Sequence, residues 1–331
     1  MFLPYEQLQE DYPIQNPSSH ADLATTATYL ALLGAVLLWG LSFVVTKVAL
    51  AQFPVFVLLV ARFAVAGGLF LLLLLRRGLP RLNLREHLVF LLLAVLNPGL
   101  YFLGESFGIK YTSASKASLI IATIPVVVLV LSFLLLRERP QVHQVGGIVL
   151  SVAGIALLIG VPELFAGGAA DELRGDLFTL GAVVSCAFYI ILARRLGSRH
   201  DALTITGIQM IWGAVLFAPA GLWQLRTFDL SGVDLYGLGA LLYLALGATM
   251  GGFLCYNHAL TRIAAAQAAV VINCIPVVTA ACAWLLLGER LTLLQALGGL
   301  VVLGAVTVSN YTPRQLPMPA VGKGAGEGTA L

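Results

Sequence analysis

The chain has 331 residues, of which 59% are hydrophobic and only 11% are charged, and its mean hydropathy is +0.94. These values exclude an ordinary soluble domain, in which about 25% of residues are charged, and they indicate a membrane protein. The net charge of +3 gives no ground for a nucleic-acid partner. The four cysteines lie within apolar segments without a CxxC spacing, so neither a metal site nor a cofactor is expected.

The predicted fold is an all-α integral membrane protein, because ten segments are apolar and long enough to cross a bilayer as helices. In chain order they cover residues 29–50, 54–75, 87–109, 114–136, 142–160, 175–193, 203–223, 235–259, 264–287 and 292–309. Residues 1–28 lack the basic-then-apolar order of a signal peptide and are predicted to be a polar tail. Residues 161–174 are predicted to be an outer linker, and residues 310–331 a disordered tail.

The chain contains an internal repeat, in which "ASLIIATIPVVVLVLSFLLLRER" from residue 117 matches "AAVVINCIPVVTAACAWLLLGER" from residue 268. A shift of 151 residues places Pro125 on Pro276. We therefore predict two homologous halves, 29–160 and 175–309, with five spans each. Since five is an odd number, the second half must enter the membrane inverted. Inverted repeats are typical of secondary transporters, whose substrate site lies near the midplane.

The two matched prolines lie near the middle of their spans, where each leaves the carbonyl four residues earlier without its helical N–H donor. Unpaired backbone at that depth is tolerated only inside protein or beside a watery cavity. Thr123 and Asn273 add polar atoms beside the breaks. A bend made only for packing is the alternative for a single proline, whereas the symmetric pair favours a cavity wall.

Orientation follows from the loop charges, because cytoplasmic loops carry an excess of Lys and Arg. With both ends inside, the cytoplasmic segments hold twelve of these residues and the outer loops hold five. We therefore predict a multi-pass protein of the inner (plasma) membrane with both termini in the cytoplasm. In this topology Arg77, Arg81 and Arg195 face the cytoplasm, and Glu163 and Asp171 face the opposite side.

Three charged residues, Lys47, Arg62 and Glu105, fall inside the outer half of the first repeat. Charges in the bilayer cost several kcal/mol on insertion, so each is a functional candidate. Opposite charges can also pair there as a structural device, and Lys47 can reach the headgroups instead. Asn97, Tyr101 and Glu105 are spaced by four residues and form one polar stripe on a helix, which favours a functional role for Glu105.

Other polar and aromatic residues complete the predicted site. Trp39 and Tyr189 lie close to mid-span on related helices, although such aromatic residues are more often packing or interface residues. The predicted substrate-binding residues are Trp39, Asn97, Tyr101, Glu105, Thr123, Pro125, Tyr189, Asn257, Asn273 and Pro276. Lys47, Arg62 and Glu105 are predicted to act in coupling or as ion pairs. Glu138 and Glu289, each followed by Arg, are expected to cap or pair at tight turns.

An enzyme is not predicted. The segment "GESFG" matches the G-x-S-x-G nucleophile motif, but that motif needs a strand before it and a helix after it. Here it lies inside an apolar span, where Gly104 and Gly108 predict close helix packing. The sequence contains no Walker loop, so ATP is not the expected driver of transport.

The segments "LLWGLSFVVTKVAL", "GIKYTSASKASLIIATIPVVVLVLSFLLLRER" and "PVVTAACAWLLLGERLTLLQALGGLVVLGAV" resemble the EamA-like exporters of the drug/metabolite transporter superfamily. The resemblance covers nearly the whole chain between the tails. It implies ten helices in two inverted repeats, with the first, third, fourth, sixth, eighth and ninth around a central cavity. Two positions depart from the family pattern: Arg137 replaces the usual Gly before Glu, and Glu105 replaces an aromatic or small residue.

The inverted repeat and the central breaks predict a secondary-active transporter that works by alternating access through a midplane cavity, and the resemblance implies that it exports amino acids or related small metabolites. A passive channel or facilitator, or a membrane receptor, is the alternative. The expected partners are a small-molecule substrate and the lipid bilayer, with no nucleic acid, and a homodimer is one open oligomeric state. Both proton-coupled and downhill transport stay open at this point.

Overall fold

The computed structural model describes residues 19–137, 141–159, 170–196, 200–260, 262–263, 268 and 271–309. Within these residues the regular elements are helical. The α-helices are α1 (Ser19–Leu50), α2 (Val55–Arg77), α3 (Leu84–Ala94), α4 (Tyr101–Tyr111), α5 (Ala114–Ile121), α6 (Ile124–Leu131), α7 (Val142–Ile159), α8 (Ala170–Leu196), α9 (Ala202–Leu225), α10 (Leu235–Leu242), α11 (Gly252–Leu260), α12 (Ile275–Leu287) and α13 (Leu293–Ser309). Wide π-helical turns cover Val95–Leu100, Ser132–Leu136 and Tyr243–Gly251.

Seven helical segments of the described chain are long and apolar enough to cross a membrane. They are Thr26–Leu50, Val55–Arg77, Leu84–Tyr111, Ala114–Leu135, Ala170–Ala193, Ala202–Leu225 and Leu235–Leu260. Three shorter apolar helices are Val142–Leu158, Ile275–Leu287 and Leu293–Ser309. Each predicted span overlaps one of these helices, and the predicted membrane protein is confirmed at this level.

The first helix extends further toward the N-terminus than the predicted span, since α1 begins at Ser19 and not at residue 29. The added residues are mostly polar, and the helix continues through them. Polarity therefore marked the edge of the apolar segment rather than the start of the helix. Of the predicted N-terminal tail, residues 1–18 lie outside the described residues.

The closest helix packing joins the first part of the chain to the second. Helix α2 packs on α9, α7 on α13, α4 on α8, and α1 on both α11 and α12. One core cluster illustrates this, because Phe63 and Phe70 of α2 pack with Met210 and Phe217 of α9. Both sets of helices therefore share one core.

The predicted close packing at Gly104 and Gly108 is confirmed. A β-carbon added to Gly104 would stand 2.7 Å from the Phe178 carbonyl oxygen of α8. Gly108 faces Thr179, and a β-carbon on Gly175 would stand 2.7 Å from the Thr112 nitrogen. The α4 and α8 backbones are thus in direct contact, as small residues allow between membrane helices. The "GESFG" serine accordingly lies within α4, not on a strand-to-helix turn.

The two proline-containing breaks have the same hydrogen-bond pattern. In the first, the Thr123 N–H donates to the Ile120 carbonyl at 3.0 Å, and α6 then starts at Ile124. In the second, the Cys274 N–H donates to the Val271 carbonyl at 3.0 Å, and α12 starts at Ile275. Each pair of equivalent positions is related by the 151-residue shift that aligns the two sequences.

The family departure at Arg137 has a backbone consequence. Arg137 adopts the left-handed conformation with φ 58°, and its equivalent Gly288 adopts the same conformation with φ 66°. Glycine meets this requirement without steric cost, whereas a residue with a β-carbon loses about 1 kcal/mol there. The turn geometry is therefore common to both positions, although only one of them carries glycine.

Candidate functional site

A cavity of about 470 Å³ lies between the two proline breaks. Pro125 and Pro276 are both on its wall, together with Ile121 and Ile272, the residues four positions earlier. Proline has no N–H, so neither Pro125 nor Pro276 can donate to the carbonyl four residues earlier, and each proline stands in the first turn of the helix that follows its break. Backbone of this kind is tolerated at membrane depth because it lines a cavity.

Eight of the predicted site residues line this cavity. They are Trp39, Arg62, Asn97, Tyr101, Glu105, Pro125, Asn273 and Pro276. The remaining four are bonded elsewhere. Lys47 donates to backbone carbonyls near the end of α4, and Thr123, fully buried, donates to the Ile120 carbonyl at 2.6 Å. Tyr189 donates to Gln209 at 3.3 Å, and Asn257 donates to Thr206 at 3.1 Å.

The wide turn between α3 and α4 positions the predicted polar stripe. Asn97 has an extended backbone (φ −145°, ψ 114°), because the residue before a proline is disfavoured in the helical conformation. Side chains from the second half of the chain donate hydrogen bonds to backbone carbonyls of this turn. Ser185 Oγ donates to the Leu96 carbonyl at 2.8 Å, and Gln209 Nε2 donates to the Asn97 carbonyl at 3.4 Å. The Asn97 side chain itself donates to Cys186 Sγ at 3.7 Å.

Glu105 is the acidic residue on the cavity wall, and it is 5% exposed. Its Oε1 accepts a weak hydrogen bond from Tyr101 Oη at 3.4 Å. Its Oε2 is buried and has no hydrogen-bond partner in the described chain. An unsatisfied buried acceptor costs about 1–3 kcal/mol.

Arg62 is the basic residue on the same wall, and it is 4% exposed. Its Nε donates to Thr249 Oγ1 at 2.8 Å, and its guanidinium lies 4.5 Å from the centre of the Phe102 ring. Among the described residues it makes no direct ion pair with Glu105, whose Oε1 accepts from Tyr101 and whose Oε2 has no partner. Arg62 and Glu105 therefore lie on the same wall without direct contact, and this arrangement is compatible with both the structural role and the functional role predicted from the sequence.

Trp39 is fixed on the cavity wall from the second half of the chain. Its Nε1 donates to the Ala248 carbonyl at 3.0 Å, and its ring lies 5.3 Å from the rings of both Phe253 and Tyr256. Gly252 lies against the indole, and a β-carbon there would stand 2.5 Å from Nε1. The first half contributes the tryptophan, and the second half determines where its ring lies.

Several polar and aromatic wall residues were not in the predicted site. Ser42, Ser118, Cys186, Phe253 and Tyr256 all line the cavity. Helical spacing could have found two of them, because Ser42 lies three residues after Trp39 and Ser118 lies seven before Pro125. For Cys186 and Tyr256, no local sequence pattern separates a packing role from a place on a cavity wall.

Charged side chains hold the end of α4 and the start of α5. Lys47 donates to the carbonyls of Ile109, at 2.9 Å, and Thr112. Lys116 forms an ion pair with Asp176 of α8 at 2.8 Å, and both side chains are at most 2% exposed. These bonds join first-half helices to each other and to the second half.

Glu289 also caps a helix, though not the helix that follows it. Its carboxylate accepts from the backbone N–H groups of Ala114 and Ser115 at 3.1 and 3.2 Å, and from Ser115 Oγ at 3.0 Å. It therefore satisfies N–H groups at the start of α5, in the other half of the chain. Its sequence equivalent Glu138 lies outside the described residues.

The apolar helices and the buried polar cavity define a multi-pass membrane protein. The model of the EamA-like transporter family matches the chain twice, over residues 26–160 and 173–311. The chain therefore belongs to the EamA-like transporter family and is a membrane transporter.

Named relatives agree with this assignment. An uncharacterized transporter, YetK, of Bacillus subtilis is 27% identical over 87% of this chain and 88% of its own length. Another from the same organism, YcxC, is 30% identical over 86% of this chain and 93% of its own. A protein of Salmonella typhimurium named as a probable amino-acid metabolite efflux pump is 28% identical over 86% of this chain and 94% of its own.

A solved crystal structure shares the fold. It has 19% sequence identity to this chain, covers 86% of this chain and 98% of its own, and gives a TM-score of 0.60.

Proposed function

We propose that this transporter exports amino acids or related small metabolites by alternating access through the cavity between the two proline breaks. The observation that carries the proposal is the pair of equivalent breaks, one from each half, on the wall of a single cavity that also holds Glu105 and Arg62. A carboxylate and a guanidinium on one wall suit a zwitterion. The name of the Salmonella relative supports amino compounds as the first substrates to test.

The proposal includes ten membrane helices in two inverted five-helix repeats, 29–160 and 175–309. The double match of the family model, the 151-residue sequence shift and the equal hydrogen-bond patterns at the breaks support it. In alternating access the two halves rock around a central site, and inverted repeats provide two related conformations for this movement. Broken helices at the centre give the site both backbone acceptors and hinge points.

We also propose an inner-membrane location with cytoplasmic termini. The expected result is that cysteines placed at residues 77 and 81 are labelled only from the cytoplasmic side, and that a cysteine at Asp171 is labelled from outside. The measurement is labelling of intact cells with a membrane-impermeant maleimide, with lysed cells as the control. Labelling of position 77 in intact cells would contradict this topology.

The prolines provide a test of the cavity wall. We expect Pro125→Ala and Pro276→Ala each to lower the initial transport rate at least tenfold while expression falls less than twofold. Alanine restores an N–H, so the carbonyl of Ile121 or Ile272 regains its helical partner and the break stiffens. Pro219→Ala in α9 is the control, because that proline is not on the cavity wall. Unchanged transport in both variants would leave only the packing role.

The function itself is tested with the purified full chain in proteoliposomes. Vesicles loaded with an unlabelled amino acid should accumulate the same labelled amino acid from outside in a saturable counterflow, with and without a pH gradient. A passive channel gives no counterflow, because it does not couple the movement of one substrate molecule to that of another. Absence of counterflow across a panel of amino acids and related metabolites would overturn the proposal.

A further inference from the structure

Another cavity lies on the side of the helix bundle and shares no lining residue with the central one. It is a groove of about 630 Å³ between α2, α9 and α10, and twelve of its thirteen lining residues are apolar. We infer that this groove binds one acyl chain of phosphatidylethanolamine, and that charged residues at its mouth bind the headgroup. Such a site is separate from the central cavity, and its existence does not depend on which substrate the protein moves.

The groove opens sideways, toward the bilayer. Leu222 of α9 and Leu238 of α10 both line it, and both are exposed. On α2 its wall runs from Val57 to Ala64, and the same face continues to Gly68, where an added β-carbon would meet nothing within 4 Å. The helix from Val57 to Gly68 is about 16 Å long, which is about half the 30 Å thickness of a hydrocarbon core. The groove therefore has the length of one leaflet, which is the depth that one acyl chain occupies.

The mouth of the groove lies at the level of the lipid headgroups. Residues 226–234, which join α9 to α10, form this mouth, since Leu230 and Asp234 line the groove. Trp223 near the end of α9 and Tyr236 near the start of α10 flank the segment, and they are 72% and 81% exposed. Exposed tryptophan and tyrosine at the ends of membrane helices are typical of the interface between bilayer and water. A lipid whose chain fills the groove therefore has its headgroup beside residues 226–234.

The mouth carries one cation for the lipid phosphate. Arg226 directly follows Leu225, which lines the groove, and Arg226 is exposed. The preceding residue Gln224 accepts from the Phe56 N–H at 3.2 Å and thereby joins the end of α9 to the start of α2. A guanidinium group presents its N–H donors in a planar fork that suits the oxygens of a phosphate. Arg226 is therefore placed to bind the phosphate group of a phospholipid.

The mouth also carries two carboxylates for an ammonium group. Asp234 Oδ1 accepts from the Gly237 N–H and from Gln52 Nε2, each at 2.8 Å, and these bonds lower the pKa of Asp234. Asp229 accepts from the hydroxyl group and the N–H of Ser231, which lower the pKa of Asp229 in the same way. Both groups are therefore charged at neutral pH. A primary ammonium group has three donors and no acceptor, so it suits such carboxylates.

The balance of these charges distinguishes among phospholipids. Within residues 226–234 one arginine and two aspartates give a net charge of −1. The headgroup of phosphatidylglycerol is anionic, so it gains the arginine contact but is repelled by the carboxylates. Phosphatidylcholine has no N–H donor for them. Phosphatidylethanolamine supplies both a phosphate and an ammonium group, so it matches both signs of charge at the mouth.

The test is native mass spectrometry of the full chain, purified without its lipids and titrated with dioleoyl lipids that differ only in the headgroup. We expect the first phosphatidylethanolamine molecule to bind about fivefold more tightly than phosphatidylglycerol, since one charge near a membrane surface changes binding by about that factor. Phosphatidylcholine should also bind more weakly than phosphatidylethanolamine. This measurement involves no transported substrate, so its result is independent of the counterflow experiment.

The acyl-chain site is tested by filling the groove. Ala64→Trp places a large ring on its wall and should weaken the first phosphatidylethanolamine about tenfold, because the chain loses the packing contacts that hold it between helices. Ala64→Leu, with a smaller side chain, should weaken it less and serves as a second variant if the first does not fold. Ala153→Trp in α7 is the matched control, because Ala153 is also exposed but is not on the groove. Size-exclusion profiles show which variants are folded.

The headgroup site is tested by removing its charges. Asp229→Asn combined with Asp234→Asn keeps side chains that can accept the same hydrogen bonds, and it should abolish the preference for phosphatidylethanolamine over phosphatidylglycerol. Arg226→Gln should weaken both lipids about fivefold. Asp171→Asn in α8 is the matched control and should leave the preference unchanged, because that exposed carboxylate is not on the groove.

Three results would overturn the lipid site. The first is equal binding of phosphatidylethanolamine and phosphatidylglycerol to the wild type. The second is equal binding of the first lipid to a folded Ala64 variant and to Ala153→Trp. The third is a wild type that is dimeric and becomes monomeric in Ala64→Trp, since a second copy of the chain would then occupy the groove.

Discussion

Replacing Glu105 by glutamine is expected to abolish the response of transport to an imposed pH gradient while substrate exchange continues. Glutamine keeps the shape and hydrogen-bonding capacity of the side chain but cannot gain or lose a proton. Glu105 is buried, and Arg62 lies on the same cavity wall. In general, burial favours the neutral form of a carboxyl group and a nearby cation favours the charged form, and a carboxyl group subject to both effects can exchange a proton for the ammonium group of a substrate in each cycle.

The measurement compares uptake into proteoliposomes with and without a pH gradient, for the wild type and Glu105→Gln. We expect the gradient to stimulate the wild type and to change the rate of the variant by less than a tenth of that stimulation. Tyr101→Phe is the matched control, since it removes the hydrogen bond to Oε1 but leaves the carboxyl group able to titrate. Full stimulation of Glu105→Gln would exclude coupling. A folding defect rescued by also replacing Arg62 with methionine would establish a structural pair instead.

The second large effect is expected on stability. Replacing Lys116 by methionine should destabilise the protein by about 3–5 kcal/mol, because it leaves the buried Asp176 carboxylate without its ion-pair partner at 2.8 Å. The double variant Lys116→Met with Asp176→Asn should recover most of the loss, since no uncompensated charge is then buried. Thermal unfolding in detergent, monitored by size exclusion, measures both.

An exposed pair on the same helix provides the control. Arg174 and Asp171 are 3.0 Å apart, but their side chains are 67% and 73% exposed. Arg174→Met should change the stability by less than about 1 kcal/mol, because water screens an exposed pair. Equal effects of the two methionine variants would contradict the importance of burial, and a double variant no more stable than Lys116→Met would contradict the pairing.

The repeat was the most informative signal in the sequence. It related Pro125 to Pro276, and the structure places both on one cavity wall. The sequence could predict the shared position of the two prolines for two reasons. Proline lacks a backbone N–H donor in any context, and a sequence repeat implies that equivalent residues have similar structural environments. The polar stripe of Asn97, Tyr101 and Glu105 also lies on the wall, although Asn97 belongs to a wide turn and not to a regular helix.

Other features could not be predicted from local patterns. Thr123 is adjacent to a break, but it turns its hydroxyl group to the Ile120 carbonyl and away from the cavity. The hydrogen bond between Glu289 and Ala114 joins residues 175 positions apart, and helical periodicity, which relates residues three or four apart, cannot predict such a contact. The break at Asn97 did have a signal in the sequence, since Pro98 follows it. Its effect on the cavity, however, depends on the hydrogen bonds that side chains of α8 and α9 donate to the carbonyls of Leu96 and Asn97.

The shared core of the two halves has a consequence for how the protein is made. Arg62 and Lys116 enter the membrane with the first half of the nascent chain, but Thr249 and Asp176 are translated later. Until then these cations have no second-half partner, and the glycine faces of α4 have no helix against them. Helices α1 to α7 are therefore translated before the later helices that they pack against, and a chain that stops before α8 presents uncompensated charges to the cell's degradation machinery.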